Sequence, residues 1–461
     1  MLNGARITGG GHTLAHGRQV KGTSRHERST RRGAPKQLAR VRTPRRGGPK
    51  RSARVRSTRR GGAKRSAHVL VKGLLLVGMV VSTTSTATVP ASGSNTATAP
   101  ASSATLLPGP QELRIRGADI SFTLQEEAIN RTLSDNGVVL PIEKILTRHG
   151  ANYARLRVWV NPAAGTSDLA AALTLAARAH AAGMKLLLDL HYSDTWADRK
   201  NQHTPAAWAN LGPEALRAKV ESYTRATVAA FAGQGTPVDM VQIGNEITLG
   251  FLWPTGEIYQ NGTENWADFT DLLKAGIKGA KEAVTRAPAI MIHIDTGGDK
   301  YMSAYFFDHL KQFGVVYDVI GLSYYPFWHG SLADLSQNVN NLASRYGKDI
   351  VVAETSYPWT LSSGEDGPTF VSDTQALPDG ARYPPTPQGQ EMYYRALNNV
   401  LRQVPGGHGA GFFVWEPGWL PGVAAADGLG NPYNNLTLFD WRGRALPALS
   451  AFGSPSGTNS Q

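Results

Sequence analysis

The sequence contains no cysteine among its 461 residues. Disulfide bridges, thiolate nucleophiles and cysteine-ligated metal sites are therefore excluded. The absence does not exclude export from the cell, because a large domain can bury enough apolar surface to be stable without disulfides.

Acidic residues are almost absent from the first 72 residues, which carry 21 Lys and Arg side chains but only one acid, Glu27. The whole chain has a net charge of +13, so residues 73–461 carry about −7. A degenerate repeat begins at residues 29, 43 and 57, as STRRGAPK, TPRRGGPK and STRRGGAK. Such a segment buries too little apolar surface to offset its ordering entropy, which predicts a disordered basic leader over 1–68. A nucleic-acid-binding arm is an alternative, but the leader has no aromatic residue to stack on bases, so we expect no nucleic-acid partner.

The apolar run at residues 69–81 is interrupted by Lys72 and is too short to span a membrane comfortably. Small and polar residues follow it. The order basic, apolar, then small is typical of a secretory signal, with its apolar and cleavage regions over 69–90. We therefore expect a secreted or periplasmic protein without a stable membrane span after processing; an uncleaved N-terminal anchor is the alternative. Residues 91–112, rich in Ser, Thr, Ala and Pro, are predicted to be a linker.

Strand-like and helix-like segments alternate regularly from residue 113 to residue 455. Eight strand candidates, most of them followed by a helix, predict an α/β fold, a (β/α)8 TIM barrel, rather than an open doubly wound sheet. No Gly-rich phosphate loop follows the first strand, which argues against a nucleotide-binding fold. The predicted strands are 114–121, 153–160, 185–192, 238–246, 290–296, 318–326, 349–355 and 409–417, and the predicted helices include 169–182, 213–231, 266–285, 332–346 and 388–404.

Two of the predicted strands end in a glutamate, Glu246 and Glu354. Burying a charge is costly, so a Glu that closes a Val/Ile run is expected at the mouth of the barrel. Two carboxyl groups on different strands are what acid-assisted cleavage of a glycosidic bond requires. Each residue alone could instead be a helix-capping acid or half of a structural ion pair.

Polar and aromatic residues also gather at the ends of the other strands. Arg157 could be a structural ion-pair partner, or it could keep a nucleophilic carboxylate ionised. The histidines are too scattered for a zinc motif, so no metal site is predicted. The tryptophans could belong to the core, but flat aromatic faces at a cleft also suit the apolar faces of sugars. The candidates for substrate binding are Asp119, Arg157, His191, Asp194, Trp196, Asn245, His293, Tyr324, Tyr325, Trp328 and Trp415.

Five motifs in this order resemble the arabinogalactan endo-β-1,4-galactanases of glycoside hydrolase family 53, and the likeness covers about residues 113–450. They are DLHYSDTWAD at 189–198, QIGNEIT at 242–248, SYYPFWHG at 323–330, AETSYPW at 353–359 and VWEP at 414–417. The resemblance implies a retaining glycosidase that cleaves β-1,4-galactan or arabinogalactan. We expect it to need no cofactor.

By the same resemblance, Glu246 would be the acid/base and Glu354 the nucleophile. Asn245 would hold the sugar 2-hydroxyl, and Trp415 would form the floor of the subsite at the cleavage point. Arg157, with Tyr324 or Tyr325, would support the nucleophile. The resemblance also implies that His191, Asp194, His293 and Trp328 line the cleft.

The chain departs from the family pattern in two loops. Several bacterial relatives carry a calcium loop after the nucleophile strand, but residues 361–369 lack its alternating oxygen ligands, so we predict no dedicated calcium site. The loop at 418–436 is short compared with theirs, which leaves the product length open. A clan-related β-mannanase or β-glucanase and a non-catalytic carbohydrate-binding protein are the alternative functions. We expect a monomer.

Overall fold

The computed structural model describes residues 112–163, 165–424 and 430–453. The predicted basic leader, the signal region and all but the last residue of the predicted linker lie outside these residues. No helix within the described ranges is both long and apolar enough to cross a membrane.

Eight parallel strands in the described part of the chain form a closed barrel. They are β1 (Ile115–Asp119), β2 (Tyr153–Val158), β3 (Lys185–Leu190), β4 (Met240–Ile243), β5 (Ala289–Ile294), β6 (Val319–Ser323), β7 (Asp349–Thr355) and β8 (Gly409–Val414). Each strand pairs with the next one in the sequence, and β8 pairs with β1 to close the barrel. The predicted (β/α)8 fold is confirmed. Seven of the eight strands fall inside the predicted ranges, and β5 begins one residue before its range.

Helices pack around the outside of the barrel. The five predicted helices are present, with ends that differ from the prediction by at most three residues. Lys300–Gln312 is a further helix; its exposed Tyr301 and Tyr305 interrupt the apolar pattern by which a helix is recognised in a sequence. The helices are α1 (Thr123–Ala128), α2 (Ile142–Arg148), α3 (Leu169–Ala181), α4 (Pro213–Gly233), α5 (Trp266–Glu282), α6 (Lys300–Gln312), α7 (Pro326–His329), α8 (Leu332–Tyr346) and α9 (Pro387–Arg402).

The strands have one face toward the barrel interior and one toward the helices. In β7, Val351 and Ala353 belong to the interior cluster, whereas Ile350 and Val352 pack in the layer between strands and helices. Simple alternation would therefore point Glu354 outward. The pairing of β7 shifts register on both sides near its end, and Ser323 of β6 is paired with Glu354. Such an irregularity re-aims a side chain, and here it turns Glu354 toward the mouth of the barrel.

The interior is tightly filled where β1 meets β8. Gly117 is paired with Phe413, and a Cβ atom at Gly117 would lie 2.3 Å from two atoms of the Phe413 ring. We expect Gly117→Ala to reduce stability by about 1–3 kcal/mol because the ring must leave its position. Thermal denaturation should show a smaller loss for the same substitution in a Phe413→Leu background, where the ring is absent. An equal loss in both backgrounds would contradict this packing.

Candidate active site

A cavity of about 520 Å³ opens at the carboxyl ends of the strands. This is the end of a (β/α)8 barrel at which active sites are built. Nine of the predicted site residues line it: Arg157, His191, Trp196, Asn245, Glu246, Tyr325, Trp328, Glu354 and Trp415. The two glutamates of separate strands therefore face one common space.

Glu354 lines this cavity and is only 6% exposed. Its Oε1 lies 2.7 Å from Nη2 of Arg155, and its Oε2 accepts a hydrogen bond of 2.9 Å from the Tyr325 hydroxyl. Burial raises the pKa of Glu354, while the Arg155 charge and the Tyr325 hydroxyl oppose that rise. Glu354 thus has partners that stabilise its ionised form.

The arginine beside Glu354 is Arg155, and the expectation that Arg157 would fill this role is wrong. Arg155 also lies 2.8 Å from Asp119 and 2.9 Å from Asp189, both fully buried. The two arginines lie on the same face of β2, two residues apart, so both point inward. Their depth in the barrel decides which of them reaches the carboxylate.

Arg157 contributes to the wall of the cavity instead. Its Nη2 lies 3.1 Å from Glu416, and its guanidinium lies over the Trp196 ring, 4.6 Å from the ring centre. Its Nη1 is buried and has no hydrogen-bond acceptor among the described residues. Arg157 lines the cavity and therefore stays a candidate for substrate binding.

Glu246 follows β4 in a left-handed backbone conformation, with φ of 48°. A non-glycine residue adopts this conformation at a cost of about 1–2 kcal/mol, and such residues are concentrated at functional sites. The Ser323 hydroxyl donates a hydrogen bond of 2.5 Å to Glu246 Oε1, and no arginine or lysine forms an ion pair with Glu246 in the described part of the chain. Burial raises its pKa well above the usual range, and the neighbouring charges of Glu354 and Asp295 raise it further.

The two carboxyl groups are thus electrostatically unequal. Glu354 has a cation and a phenol as partners, whereas the groups that raise the pKa of Glu246 include two carboxylates. Glu354 therefore ionises first, and Glu246 retains its proton. One acid and one carboxylate in a shared cleft are able to protonate a leaving group and attack the opposite side of the same bond.

Asn245 is oriented by its neighbours. Its Oδ1 accepts hydrogen bonds from Arg155 Nη2 at 2.8 Å and from Gln242 Nε2 at 2.9 Å, while its Nδ2 donates to the Ala197 carbonyl at 2.8 Å. Because Arg155 can only donate, the oxygen must face it, which fixes the amide orientation. The second hydrogen of Nδ2 is left for a ligand in the cavity.

His191 and His293 are both buried, but only His191 lines the cavity. His191 Nε2 lies 2.9 Å from Asp189, and its Nδ1 accepts a hydrogen bond from Trp159. His293 lies beneath the site, with Nδ1 2.9 Å from Asn245 Oδ1 and Nε2 2.9 Å from the Ser323 hydroxyl. Burial lowers the pKa of both imidazoles, and their hydrogen bonds position the neighbouring side chains.

Four predicted site residues do not line the cavity: Asp119, Asp194, His293 and Tyr324. Asp119 holds Arg155 from below, and the Tyr324 hydroxyl donates to the Gly330 carbonyl at 2.9 Å, away from Glu354. Asp194 accepts a hydrogen bond from the Ala206 amide at 2.9 Å and so holds the loop after β3. The expectation that Asp194 and His293 line the cleft is therefore wrong, and of the two tyrosines only Tyr325 donates a hydrogen bond to the carboxyl group of Glu354.

Several lining residues were not among the predicted ones. Tyr433 packs against Trp415 with ring centres 4.3 Å apart, and Phe370 packs against Trp328 at 4.9 Å. Both come from long loops without strand or helix periodicity, so no sequence pattern links them to the barrel mouth. Only their aromatic side chains, which suit a sugar-binding cleft, could have suggested that they line it. The others are Ala197, Asp198, Arg199, Lys200, Asn201, Asp295, His329, Trp419 and Pro432.

The described residues contain no cluster of three or more His, Asp or Glu side chains suited to holding a metal ion.

Replacing each arginine by lysine should separate their roles. Arg155→Lys moves the positive charge away from Glu354, so the pKa of Glu354 rises and the acidic limb of the kcat/KM profile shifts to higher pH. We expect Arg157→Lys to leave that limb in place. The pH dependence of glycoside hydrolysis by both variants measures the difference, and a shift confined to Arg157→Lys would contradict the assignment.

Comparisons with known proteins show the family to which the chain belongs. The sequence model described as glycosyl hydrolase family 53 matches residues 115–452. An arabinogalactan endo-beta-1,4-galactanase A of Emericella nidulans is 37% identical over 350 residues, covering 74% of this chain and 94% of the relative. The corresponding enzyme of Humicola insolens is 36% identical over 348 residues, covering 74% and 99%. The solved Ignisphaera aggregans GH53 catalytic domain is 38% identical, has a TM-score of 0.70, and covers 75% of this chain and 97% of that one. The resemblance expected from the five motifs is confirmed: the chain belongs to glycosyl hydrolase family 53 and is a glycoside hydrolase.

Proposed function

We propose that this glycoside hydrolase cleaves β-1,4-galactosidic linkages within galactan and arabinogalactan side chains of pectin, with retention of anomeric configuration. The electrostatic inequality of Glu246 and Glu354 in one cleft is the observation that carries the proposal. The substrate is inferred from relatives named arabinogalactan endo-beta-1,4-galactanase.

In the first step Glu354 attacks the anomeric carbon and forms a covalent glycosyl-enzyme. Arg155 and Tyr325 hold its carboxylate ionised and fix the direction of its oxygens. Glu246 gives its proton to the departing glycosidic oxygen, which leaves as a sugar hydroxyl. Asn245 would donate its free Nδ2 hydrogen to the 2-hydroxyl of the reacting sugar, where hydrogen bonds strengthen in the transition state.

In the second step Glu246 is ionised and removes a proton from a water molecule. That water attacks the anomeric carbon, the bond to Glu354 breaks, and the sugar is released with its original configuration. Retention by this route requires the two carboxyl groups to be about 5–5.5 Å apart.

Aromatic side chains support a carbohydrate ligand in this cleft. Trp415 and Tyr433 pack against each other in its lining, and Trp328, which also lines it, is 49% exposed. Such faces bind the apolar sides of sugar rings while their polar edges remain hydrated. The barrel and its two carboxyl groups would equally serve a β-mannanase or β-glucanase, and galactan is favoured over those by the motifs at 189–198 and 323–330. A non-catalytic carbohydrate-binding role is less well supported, because Asn245 and Arg155 surround an intact carboxyl pair.

Activity on linear β-1,4-galactan, with carboxymethylcellulose and β-mannan as controls, tests the substrate. We expect Glu354→Ala and Glu246→Ala to lower kcat more than about 10³-fold, since each removes a participant in both steps. Added azide should rescue cleavage of an aryl β-galactobioside by either variant. It should yield an α-glycosyl azide from Glu354→Ala and a β-glycosyl azide from Glu246→Ala.

Without Glu354, azide attacks the substrate from the α face, where the nucleophile would stand. Without Glu246, azide attacks the glycosyl-enzyme from the β face, where the water would enter. The reverse product pattern would exchange the two roles. Hydrolysis of mannan or carboxymethylcellulose without hydrolysis of galactan would contradict the substrate.

We further propose that the enzyme needs no calcium. Protein contacts join the loops after β7 and β8: Glu365 accepts hydrogen bonds of 2.7 Å from the backbone amides of Gly422 and Asn431. Asn435 Nδ2 donates to the Thr360 and Val371 carbonyls at 2.8 and 2.7 Å. Asn435 Oδ1 is the only buried side-chain oxygen described at 361–369 and 430–436 that lacks a partner, and calcium requires about six to eight oxygen ligands. The residues present therefore do not fit the ion.

Chelation should leave the thermal midpoint and the galactan activity unchanged. Glu365→Ala should lower the midpoint, because two backbone amides lose their acceptor. Thermal denaturation with and without EDTA, and metal analysis after equilibrium dialysis, measure both effects. A stoichiometric calcium that survives dialysis, or a midpoint that falls on chelation, would contradict the proposal.

Secretion is proposed from the sequence order of residues 1–90 alone, with an N-terminal anchor as the alternative. The monomeric state stays a prediction.

A further inference from the structure

A second cavity, of about 410 Å³, lies beside the catalytic cleft. Arg199, Asp295, Trp328 and His329 line both cavities, so the two spaces adjoin along this boundary. The far side of the second cavity is formed by the start of α6, including Lys300 and Tyr301, and by residues of α8. Nothing in the proposed mechanism uses these far-side residues.

The second cavity lies on the acid side of the catalytic pair. Asp295, at its boundary, follows β5, the strand that pairs with β4, and it accepts a hydrogen bond from the hydroxyl of Thr248, two residues after Glu246. Glu354, at the end of β7, is instead paired with Arg155. Glu246 therefore lies toward the second cavity and Glu354 away from it. Because the acid protonates the departing oxygen, the part of the substrate that leaves extends toward Asp295.

The lining suits a neutral, hydroxyl-rich ligand. It combines two cations, Arg199 and Lys300, with three carboxylates, Asp295, Asp299 and Asp334. Because charges of both signs lie close together, the lining favours neither an anion nor a cation. Its cations can donate hydrogen bonds to the hydroxyl groups of a ligand, and its carboxylates can accept them.

Two exposed aromatic side chains stand at this cavity. Tyr301 is 77% exposed and Trp328 is 49% exposed, so both rings leave surface that a ligand could cover. Tyr301 is held at the start of α6, where Asp299 Oδ1 accepts a hydrogen bond of 3.0 Å from its backbone amide. Its ring lies 5.0 Å from Lys300 Nζ. The backbone at Tyr301 is therefore fixed while the ring remains free to stack on a ligand.

We propose that the second cavity binds galactosyl residues of the leaving part of the chain, beyond the unit next to the cleaved bond, with Tyr301 as a stacking platform. This inference rests on the proposed function. It predicts that replacing Tyr301 lowers the rate of hydrolysis only for substrates long enough to reach the second cavity.

The test compares Tyr301→Ala with two controls. Tyr301→Phe keeps the ring, and Tyr305→Ala removes a tyrosine of the same helix that lines neither cavity. On linear galactan we expect kcat/KM to fall about two- to tenfold for Tyr301→Ala and to stay unchanged for both controls. On an aryl β-galactobioside, whose leaving group is too short to reach the cavity, all three variants should match the parent enzyme.

The position of cleavage gives a second readout. The reducing end of an oligosaccharide binds on the leaving side. If binding there is weaker, fewer sugar units occupy that side and cleavage moves closer to the reducing end. Galactopentaose labelled at its reducing end should therefore give shorter labelled products with Tyr301→Ala. An equal loss on both substrates, or an unchanged rate and product pattern, would overturn the inference while leaving the proposed function intact. A parent enzyme that cleaves no galactan would overturn the proposed function and this inference with it.

Discussion

The buried guanidinium of Arg155 is the interaction on which the rest of the site depends. It lies 2.7–2.9 Å from the carboxylates of Asp119, Asp189 and Glu354, which come from three different strands. Each of these charges alone would be costly at this depth, and removing one partner of a buried ion pair typically costs about 3–5 kcal/mol. The closed barrel brings them together, and their mutual pairing in turn fixes the ends of β1, β2, β3 and β7.

The catalytic asymmetry follows from this arrangement. Arg155 reaches Glu354 but not Glu246, so the same burial that raises both pKa values leaves one group able to ionise and the other protonated. Two local departures from regular backbone place the carboxyl groups in one cavity: the shifted register of β7 at Glu354 and the left-handed conformation of Glu246. Regular strand geometry would have sent Glu354 toward the helices.

Much of the fold was predictable because the strands of a parallel barrel have a recognisable local sequence pattern. Each buried strand is a short run rich in Val, Ile and Leu, and a residue that closes such a run must lie at the barrel mouth, as Glu246 and Glu354 do. The choice between Arg155 and Arg157 was not predictable, since both point inward from β2 and their spacing is the same under either assignment. Asp194 and His293 carry the right chemistry, but their hydrogen bonds direct one to a loop amide and the other beneath the cavity.

The sequence by itself determined the number and order of the strands and the two carboxyl groups at their ends, because composition and spacing within a few residues encode both. Tertiary structure alone decided which arginine contacts Glu354, that Tyr433 and Phe370 enter the cleft, and that a second cavity adjoins it at Asp295. Those relations join residues distant in the chain, and only barrel closure and loop packing bring such residues into contact.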